Sequence, residues 1–245
     1  MFGYGVDRRA IGILFIILIA MSLFSMGSEG WINLALTFPS VIIAITFHEF
    51  AHAKTADVLG DTTPRNQGRL TSNPMSHVDP FGFFLLMFAG IGWGKPVQIN
   101  PNNFTSNKSR GTCESIVSVA GPLMNFFISI IACICFLALY YLLPDFVKTI
   151  WGSLTSDFLY SLMIINIGLG VFNLIPLPPL DGEKIFRNLL PSKAQRWLQD
   201  NYATLSAVFM ILWIFGFLEI IVSPVISALS QVLFFVVKNV ILFFI

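Results

Sequence analysis

His48, Glu49 and His52 form the pattern H-E-x-x-H within an apolar stretch of the sequence. On an α-helix the two histidines lie one turn apart and face the same point, so together they can bind one Zn²⁺ ion. Glu49 beside them can take a proton from water bound to that ion. The chain has only 3 histidines, and buried polar side chains are costly in a membrane. The pattern therefore predicts a hydrolytic zinc site rather than a structural cluster of hydrogen bonds.

A hydrolytic zinc site needs a third protein ligand, and the candidates are the remaining acidic residues and His77. Asp181 follows an apolar stretch whose helix must end at the prolines of residues 176–179. This helix and the helix of His48 are predicted to cross the membrane in the same direction. Asp181 therefore emerges on the side where the histidines lie, and this agreement favours it as the third ligand.

The overall composition is that of an integral membrane protein. Of its 245 residues, 56% are hydrophobic and 11% are charged, and the mean hydropathy is +0.79. A soluble domain carries about 25% charged residues, which excludes an ordinary soluble enzyme, and a disordered chain would be polar. The net charge of +1 indicates no nucleic-acid partner. The 3 cysteines show neither a disulfide pattern nor a zinc-binding spacing.

A membrane-spanning helix needs about 20 mostly apolar residues, and the sequence predicts about six such helices. The predicted fold class is an all-α polytopic membrane protein, with one domain over residues 1–245 and a catalytic core at about residues 31–187. The apolar stretch at residues 81–93 is too short to cross and predicts a re-entrant, β-like segment between spans two and three. We expect the first span to be retained rather than cleaved as a signal peptide. The predicted spans are residues 10–26, 31–59, 114–143, 157–175, 203–222 and 224–245.

Basic residues predict how these spans are oriented, because cytoplasmic loops are rich in lysine and arginine. Twelve of the 14 basic residues fall at the N-terminus, between spans two and three, or between spans four and five. With six spans these three regions lie on one face of the membrane. Both termini and the active-site end are therefore predicted to be cytoplasmic.

The sequence resembles the site-2 protease family of intramembrane zinc metalloproteases, in the compact branch without a PDZ domain. The resemblance covers about residues 47–187. It rests on H-E-x-x-H at residues 48–52, N-x-x-P-x-x-x-x-D-G at residues 173–182, residues 60–80, G-K-P-V at residues 94–97 and A-G-P-L-M-N at residues 120–125.

This resemblance implies a set of roles and partners. His48, His52 and Asp181 would bind Zn²⁺, Glu49 would activate water, and Asn173 would stabilise the oxyanion or hold the substrate backbone. The substrate would be a membrane protein with a single transmembrane helix, such as an anti-sigma factor or a membrane-bound regulator. Its cleavage in or near the bilayer would be regulated intramembrane proteolysis in a prokaryotic cell membrane.

Four further residues are candidates for the site. His77 could contact substrate or orient a ligand, or it could simply bond to loop carbonyls at the membrane boundary. Asn125 could line the catalytic cavity or form an interhelical hydrogen bond. Val97 and Ile99 lie in residues 95–100, which alternate with period two after the predicted re-entrant stretch. Such an edge could pair with an unwound substrate by strand addition.

The sequence therefore predicts a zinc metalloendopeptidase, with other functions still open. A membrane metal-ion transporter could use the same His, Glu and Asp cluster, but residues 41–45 of the second span are apolar. A catalytically inactive scaffold is disfavoured because every proposed catalytic residue is present. A different zinc membrane peptidase, such as a prenyl-protein protease, is disfavoured only by the placement of Asp181 and Gly182.

Overall fold

The structure, a computed structural model, describes residues 27–89, 92 and 94–244. Within these ranges all regular secondary structure is helical, which confirms the all-α class. Two short 3₁₀ turns, Pro74–Ser76 and Pro101–Asn103, lie between the helices. The α-helices of the described ranges are α1 (Ser28–Val58), α2 (Thr63–Asn66), α3 (Pro80–Ala89), α4 (Arg110–Leu142), α5 (Pro144–Val147), α6 (Ile150–Asn173), α7 (Asp181–Arg187), α8 (Ser192–Asp200), α9 (Tyr202–Ile214) and α10 (Phe217–Phe244).

Four helices of the described ranges are long and apolar enough to cross a membrane, namely α1, α4, α6 and α10. They correspond to predicted spans two, three, four and six. The predicted first span, residues 10–26, lies outside the described residues. Helix α9 falls in the predicted fifth span but has 13 residues, about 20 Å of helix against a hydrocarbon core of about 30 Å.

The break between the last two helices differs from the sequence prediction. It was expected at Ser223–Pro224, but Pro224 lies inside α10 and the chain turns at Phe215 and Gly216. Gly216 has a φ of +74°, a left-handed conformation that ends helices and suits glycine because it has no Cβ. Apolar residues flank this turn on both sides, so hydropathy did not mark it and the break was placed at the proline.

Helices α1, α4 and α6 pack together and form the frame of the molecule. A buried cluster joins α4 and α6 through Cys133, Leu137, Met163 and Ile167, and Val237 of α10 adds to it. Because these helices run side by side, polar residues on their facing surfaces can meet inside the bundle.

The region between α1 and α4 holds the predicted re-entrant segment. Its first part is helix α3, whose Phe83 packs edge-to-face on Phe38 of α1 with 4.9 Å between ring centroids. Residues 95–100, hereafter the wall segment, carry no helix and pair with no strand in the described ranges. Their β-like role and the re-entrant path of residues 81–93 remain predictions.

Candidate metal centre and active site

Three predicted ligands, His48, His52 and Asp181, converge on one point inside the helix bundle. The Nε2 atoms of the two histidines are 3.0 Å apart, and each lies 3.1 Å from Oδ2 of Asp181. Both histidines are buried and Asp181 is partly buried. Helix α1 supplies the histidines from one face, and Asp181 is the first residue of α7.

Hydrogen bonds on the far side of each imidazole fix its tautomer. Nδ1 of His52 lies 2.7 Å from the carbonyl oxygen of Val117, which can only accept, so this nitrogen carries the proton. Nδ1 of His48 lies 2.6 Å from Oδ1 of Asn125. Each Nε2 therefore presents a lone pair to Asp181, as metal-binding imidazoles do.

The three side chains fit a metal ion. Two imidazole nitrogens and a carboxylate oxygen lie 3.0–3.1 Å from one another. In these tautomers no proton lies between them, so a cation would relieve the repulsion between the three electron-rich atoms. A tetrahedral Zn²⁺ with bonds of about 2.0–2.1 Å separates its ligands by about 3.3 Å. The group therefore accepts zinc with a movement of a few tenths of an ångström.

Asn125 on α4 lies at the centre of a buried polar relay. Its amide nitrogen donates to the carbonyl of Ala44 at 3.1 Å and to Oδ1 of Asn166 at 2.9 Å, which leaves its oxygen free to accept from His48. Asn166 is held in turn by the carbonyl of Leu162 at 2.8 Å. Asn125 thus forms the interhelical bonds that the sequence left as one reading, and by the same bonds it orients His48.

Gly121 allows α4 to approach the two imidazoles. A Cβ atom at this position would lie 2.4 Å from Nε2 of His52 and 2.6 Å from Cε1 of His48. No side chain larger than hydrogen fits there without moving a proposed ligand. The closeness of the two imidazoles therefore explains why the A-G-P-L-M-N motif has a glycine at this position.

Asp181 is placed by the attachment of α7 to α4. Arg187 contacts Glu114 of α4 at 3.4 Å and Glu183 at 3.3 Å, and Asn188 donates to Ser115 at 3.1 Å. A side-chain carboxyl of aspartate ordinarily has a pKa of about 4. Asp181 is therefore a carboxylate at neutral pH, as a metal ligand must be.

Glu49 contacts the wall segment at the edge of a cavity of about 440 Å³ that both line. Its Oε2 accepts a hydrogen bond from the backbone N–H of Val97 at 2.9 Å. The cavity is also lined by the proposed ligands, Asn173, Val97 and Ile99. The structure thus brings both proposed catalytic residues and the two wall-segment residues to one space beside the metal group.

Asn173 and His77 occupy different settings. The side-chain amide of Asn173 donates to Leu169 of its own helix at 3.0 Å, so a bond from it to substrate needs a change of rotamer. His77 is fully buried, and its Nε2 lies 2.8 Å from the carbonyl of Thr71. This agrees with the loop-carbonyl reading, and His77 is not among the residues that line the cavity.

Sequence reasoning missed several residues of the site. Asn166 was not singled out, although a buried asparagine in an apolar span is a signal for an interhelical partner. Phe209 and Trp213 of α9 line the cavity, but aromatic residues in an apolar stretch carry no distinguishing signal. Arg69 and Asp61, which bond to the wall segment, were also left without a catalytic role.

The fold and the site together define a membrane-embedded metallohydrolase of the H-E-x-x-H type. Comparison with known proteins makes this assignment more specific. The sequence profile described as Peptidase family M50 matches residues 36–217. The chain therefore belongs to peptidase family M50, the site-2 protease family, and the predicted metalloendopeptidase class is confirmed.

Two relatives illustrate the match. A protein of Bacillus subtilis (strain 168) named as a zinc metalloprotease, YwhC, is 34% identical over 192 residues, which cover 77% of this chain and 84% of that protein. A protein of Mycolicibacterium smegmatis named as a zinc metalloprotease, Rip2, is 30% identical over 166 residues, 64% of this chain and 58% of that protein. No solved structure matches the chain. The predicted cofactor, zinc, agrees with these names and with the His48, His52 and Asp181 group.

Proposed function

We propose that this protein hydrolyses a peptide bond in or near the transmembrane segment of a membrane-protein substrate, in regulated intramembrane proteolysis. One observation carries the proposal. Glu49 and the three candidate ligands open onto a single cavity between apolar helices, and a non-helical backbone segment forms one side of that cavity. A peptide bond placed there lies beside both a metal group and a carboxylate base.

His48, His52 and Asp181 would hold Zn²⁺. When bound, the ion supplies Lewis acidity, which lowers the pKa of a water molecule and polarises the peptide carbonyl. The bonds from Asn125 and Val117 keep both imidazoles in the tautomer that binds a metal. Ligands held in this way need little rearrangement when the ion enters.

Glu49 would act as the general base and then as the general acid. It takes the proton of the attacking water and passes it to the leaving amine, and such a group contributes about 10²–10⁴-fold to the rate. The N–H of Val97 holds one carboxylate oxygen of Glu49 and leaves the other to receive the proton. Asn173 would donate to the developing oxyanion after releasing Leu169, and one such donor contributes about 2.7–4 kcal/mol to the transition state.

The wall segment would bind the substrate backbone. A peptide bond in a helix is shielded by its own hydrogen bonds, so the substrate must be extended before cleavage. Val97 and Ile99 line the cavity, and an extended edge can pair with an unwound chain by strand addition. Substrates with a single transmembrane helix, such as anti-sigma factors or other membrane-bound regulators, suit this mode of entry.

The proposed setting is a prokaryotic cell membrane crossed by six helices, with both termini and the active-site end in the cytoplasm. The distribution of basic residues supports this orientation. The four long apolar helices of the described ranges support the membrane location. The whole chain, residues 1–245, would act as one domain.

Replacement of the proposed base tests the function directly. Purified Glu49→Gln protein should retain zinc but lose about 10²–10⁴-fold in cleavage of a co-expressed single-span reporter tagged at both ends. Zinc is measured by metal analysis of the same preparation. Asp181→Ala should lose zinc as well as activity. Full cleavage by the Glu49→Gln variant would disprove the assigned base.

Proline substitutions test the wall segment. Ile99→Pro removes a backbone N–H from the proposed pairing edge without touching the bond between Val97 and Glu49. We expect impaired cleavage with unchanged zinc content. Val97→Pro should impair cleavage further, because it also removes the hydrogen bond to Glu49. Unaltered cleavage by both variants would contradict strand addition at this segment.

A further inference from the structure

The first end of the wall segment is held by a buried arginine. Arg69 is only 6% exposed, and its guanidinium donates to the carbonyls of Lys95 at 3.2 Å and Pro96 at 3.1 Å, as well as to that of Ser76. It has no carboxylate partner within the described residues. Within those ranges, all of its hydrogen bonds are therefore with backbone carbonyl groups.

The other end of the wall segment is held by a buried carboxylate. Asp61 has an exposed fraction of 0%, and its Oδ2 accepts from the backbone N–H of Asn100 at 2.6 Å. Its Oδ1 accepts from the N–H and hydroxyl of Thr63 and from the amide of Asn103. Burial raises the pKa of Asp61, but these donors outweigh it and hold the pKa below its usual value.

Between these two ends the backbone meets the active site. The N–H of Val97 bonds to Glu49, and Val97 and Ile99 line the cavity. The carbonyl of Val97 and both backbone groups of Ile99 have no hydrogen-bond partner among the described residues. This part of the backbone thus has free hydrogen-bond donors and acceptors. It lies beside the proposed base and is held at one end by Arg69 and at the other by Asp61.

Hydrogen bonds to a buried charged group fix the position of a backbone segment more precisely than apolar packing does. Burying a charge is costly unless it is fully hydrogen-bonded, so each of the two residues favours the one backbone arrangement that satisfies its hydrogen bonds. The planar guanidinium has five N–H donors in a fixed fork, which lets Arg69 bind the Ser76 turn and the wall segment together. A lysine has one point charge and cannot hold the same set of carbonyls in fixed directions.

We infer that Arg69 and Asp61 are positioning residues that hold the wall segment as a preformed edge for the extended substrate and set Val97 against Glu49. This inference rests on the proposed protease function. It assigns the two most deeply buried charges of the loop region to substrate binding, although neither lines the cavity.

Kinetic measurements on the zinc-loaded, full-length protein test the positioning role of Arg69 and Asp61. Arg69→Lys and Asp61→Asn should each raise KM for the tagged single-span reporter at least tenfold, lower kcat by a smaller factor because Val97 also positions Glu49, and leave zinc content unchanged. The matched control is Arg65→Lys in the same loop region, since the Arg65 side chain is 63% exposed and its ion pair among the described residues is with Asp57. It should cleave as the wild type does.

A purely structural role would give a different pattern, because misfolded protein lowers kcat and zinc content together and leaves KM unchanged. That pattern in both variants would overturn the inference. Amide hydrogen exchange gives a readout independent of cleavage: peptides covering residues 96–101 should exchange at least tenfold faster in Arg69→Lys than in wild type, and as slowly in Arg65→Lys as in wild type. If the wild type cleaves no reporter, the proposed function fails. Unchanged amide exchange in Arg69→Lys would separately refute the positioning role of Arg69.

Discussion

The two sides of the cavity are built in opposite ways. The side that carries His48 and His52 consists of long packed helices, and its polar atoms are fixed by short bonds to Val117 and Asn125 on a neighbouring helix. The opposite side, the wall segment, has no regular structure, and buried charges hold it at its ends. The helical side therefore depends on close packing, whereas the wall segment depends on hydrogen-bonding geometry.

This contrast matches the two tasks that the site must perform. Metal ligands must keep one geometry throughout the reaction, and regular helices place side chains with little freedom. A substrate-binding edge must present free backbone donors and acceptors, which a helix does not offer because its own bonds use them.

The largest effect is expected from added volume on the helical side. Gly121→Ala would place a methyl group 2.4 Å from Nε2 of His52, and a packed bundle cannot absorb such an overlap without moving a ligand. We expect zinc to be lost and reporter cleavage to fall by more than about 100-fold, equivalent to about 2.7 kcal/mol. Metal analysis and kinetics of purified protein measure both effects.

Gly168→Ala is the matched control for this change. It adds the same methyl group in a neighbouring helix, but the nearest side-chain atom, Cδ1 of Ile226, would be 3.5 Å away. We expect zinc content and cleavage close to wild type. Equal zinc binding by both variants would mean that close approach of α4 is not needed for the metal site.

The helical side was largely predictable from sequence. The spacing of His48 and His52 places both on one helix face, and the predicted direction of two spans brought Asp181 to the same end. Both arguments work because helix periodicity and membrane crossing are regular. Asn125 was recognised, but its partner Asn166 was not, because which polar residues meet across two helices depends on their relative rotation.

The wall segment was less predictable. Its alternating residues suggested a strand, but nothing local indicates that Arg69 or Asp61 lies against it from 26 and 39 residues away. Contacts at such separation follow from the folded path of the loop and carry no periodic signal. The helix break at Gly216 was missed for a related reason, since a left-handed turn inside an apolar stretch leaves hydropathy unchanged.

An intermediate effect is expected from breaking the polar relay without changing the packing. Asn125→Leu keeps a branched side chain with the same number of heavy atoms but removes the acceptor for Nδ1 of His48. Loss of a partner that orients a metal-binding imidazole weakens metal affinity by about 10–100-fold. Competition with a zinc-chelating dye measures the change. Asn239→Leu, at an exposed site where the amide bonds only to its own helix, should leave the affinity unaltered.

The smallest effect concerns acid sensitivity on the loop side. Burial lowers the pKa of His77 below 6.5, and repulsion from Arg69 acts in the same direction. The hydrogen bond to the backbone carbonyl of Thr71 and the attraction of Glu49 raise the pKa but do not reverse this. Its Nδ1 has no partner in the described ranges, so protonation would bury an unpaired N–H. The unfolded chain then binds more protons than the folded one, and stability falls as pH drops below about 6.5.

The slope attributable to His77 cannot exceed about 1.4 kcal/mol per pH unit, the value for one proton. Thermal unfolding of zinc-saturated protein in detergent, between pH 7.5 and pH 5.5, should show a steeper loss for wild type than for His77→Gln. This range lies above the titration of Asp61, whose contribution is lost only at lower pH because its pKa is depressed. Parallel curves for the two proteins would show that His77 is equally protonated in the folded and unfolded states and adds no acid sensitivity to the loop side.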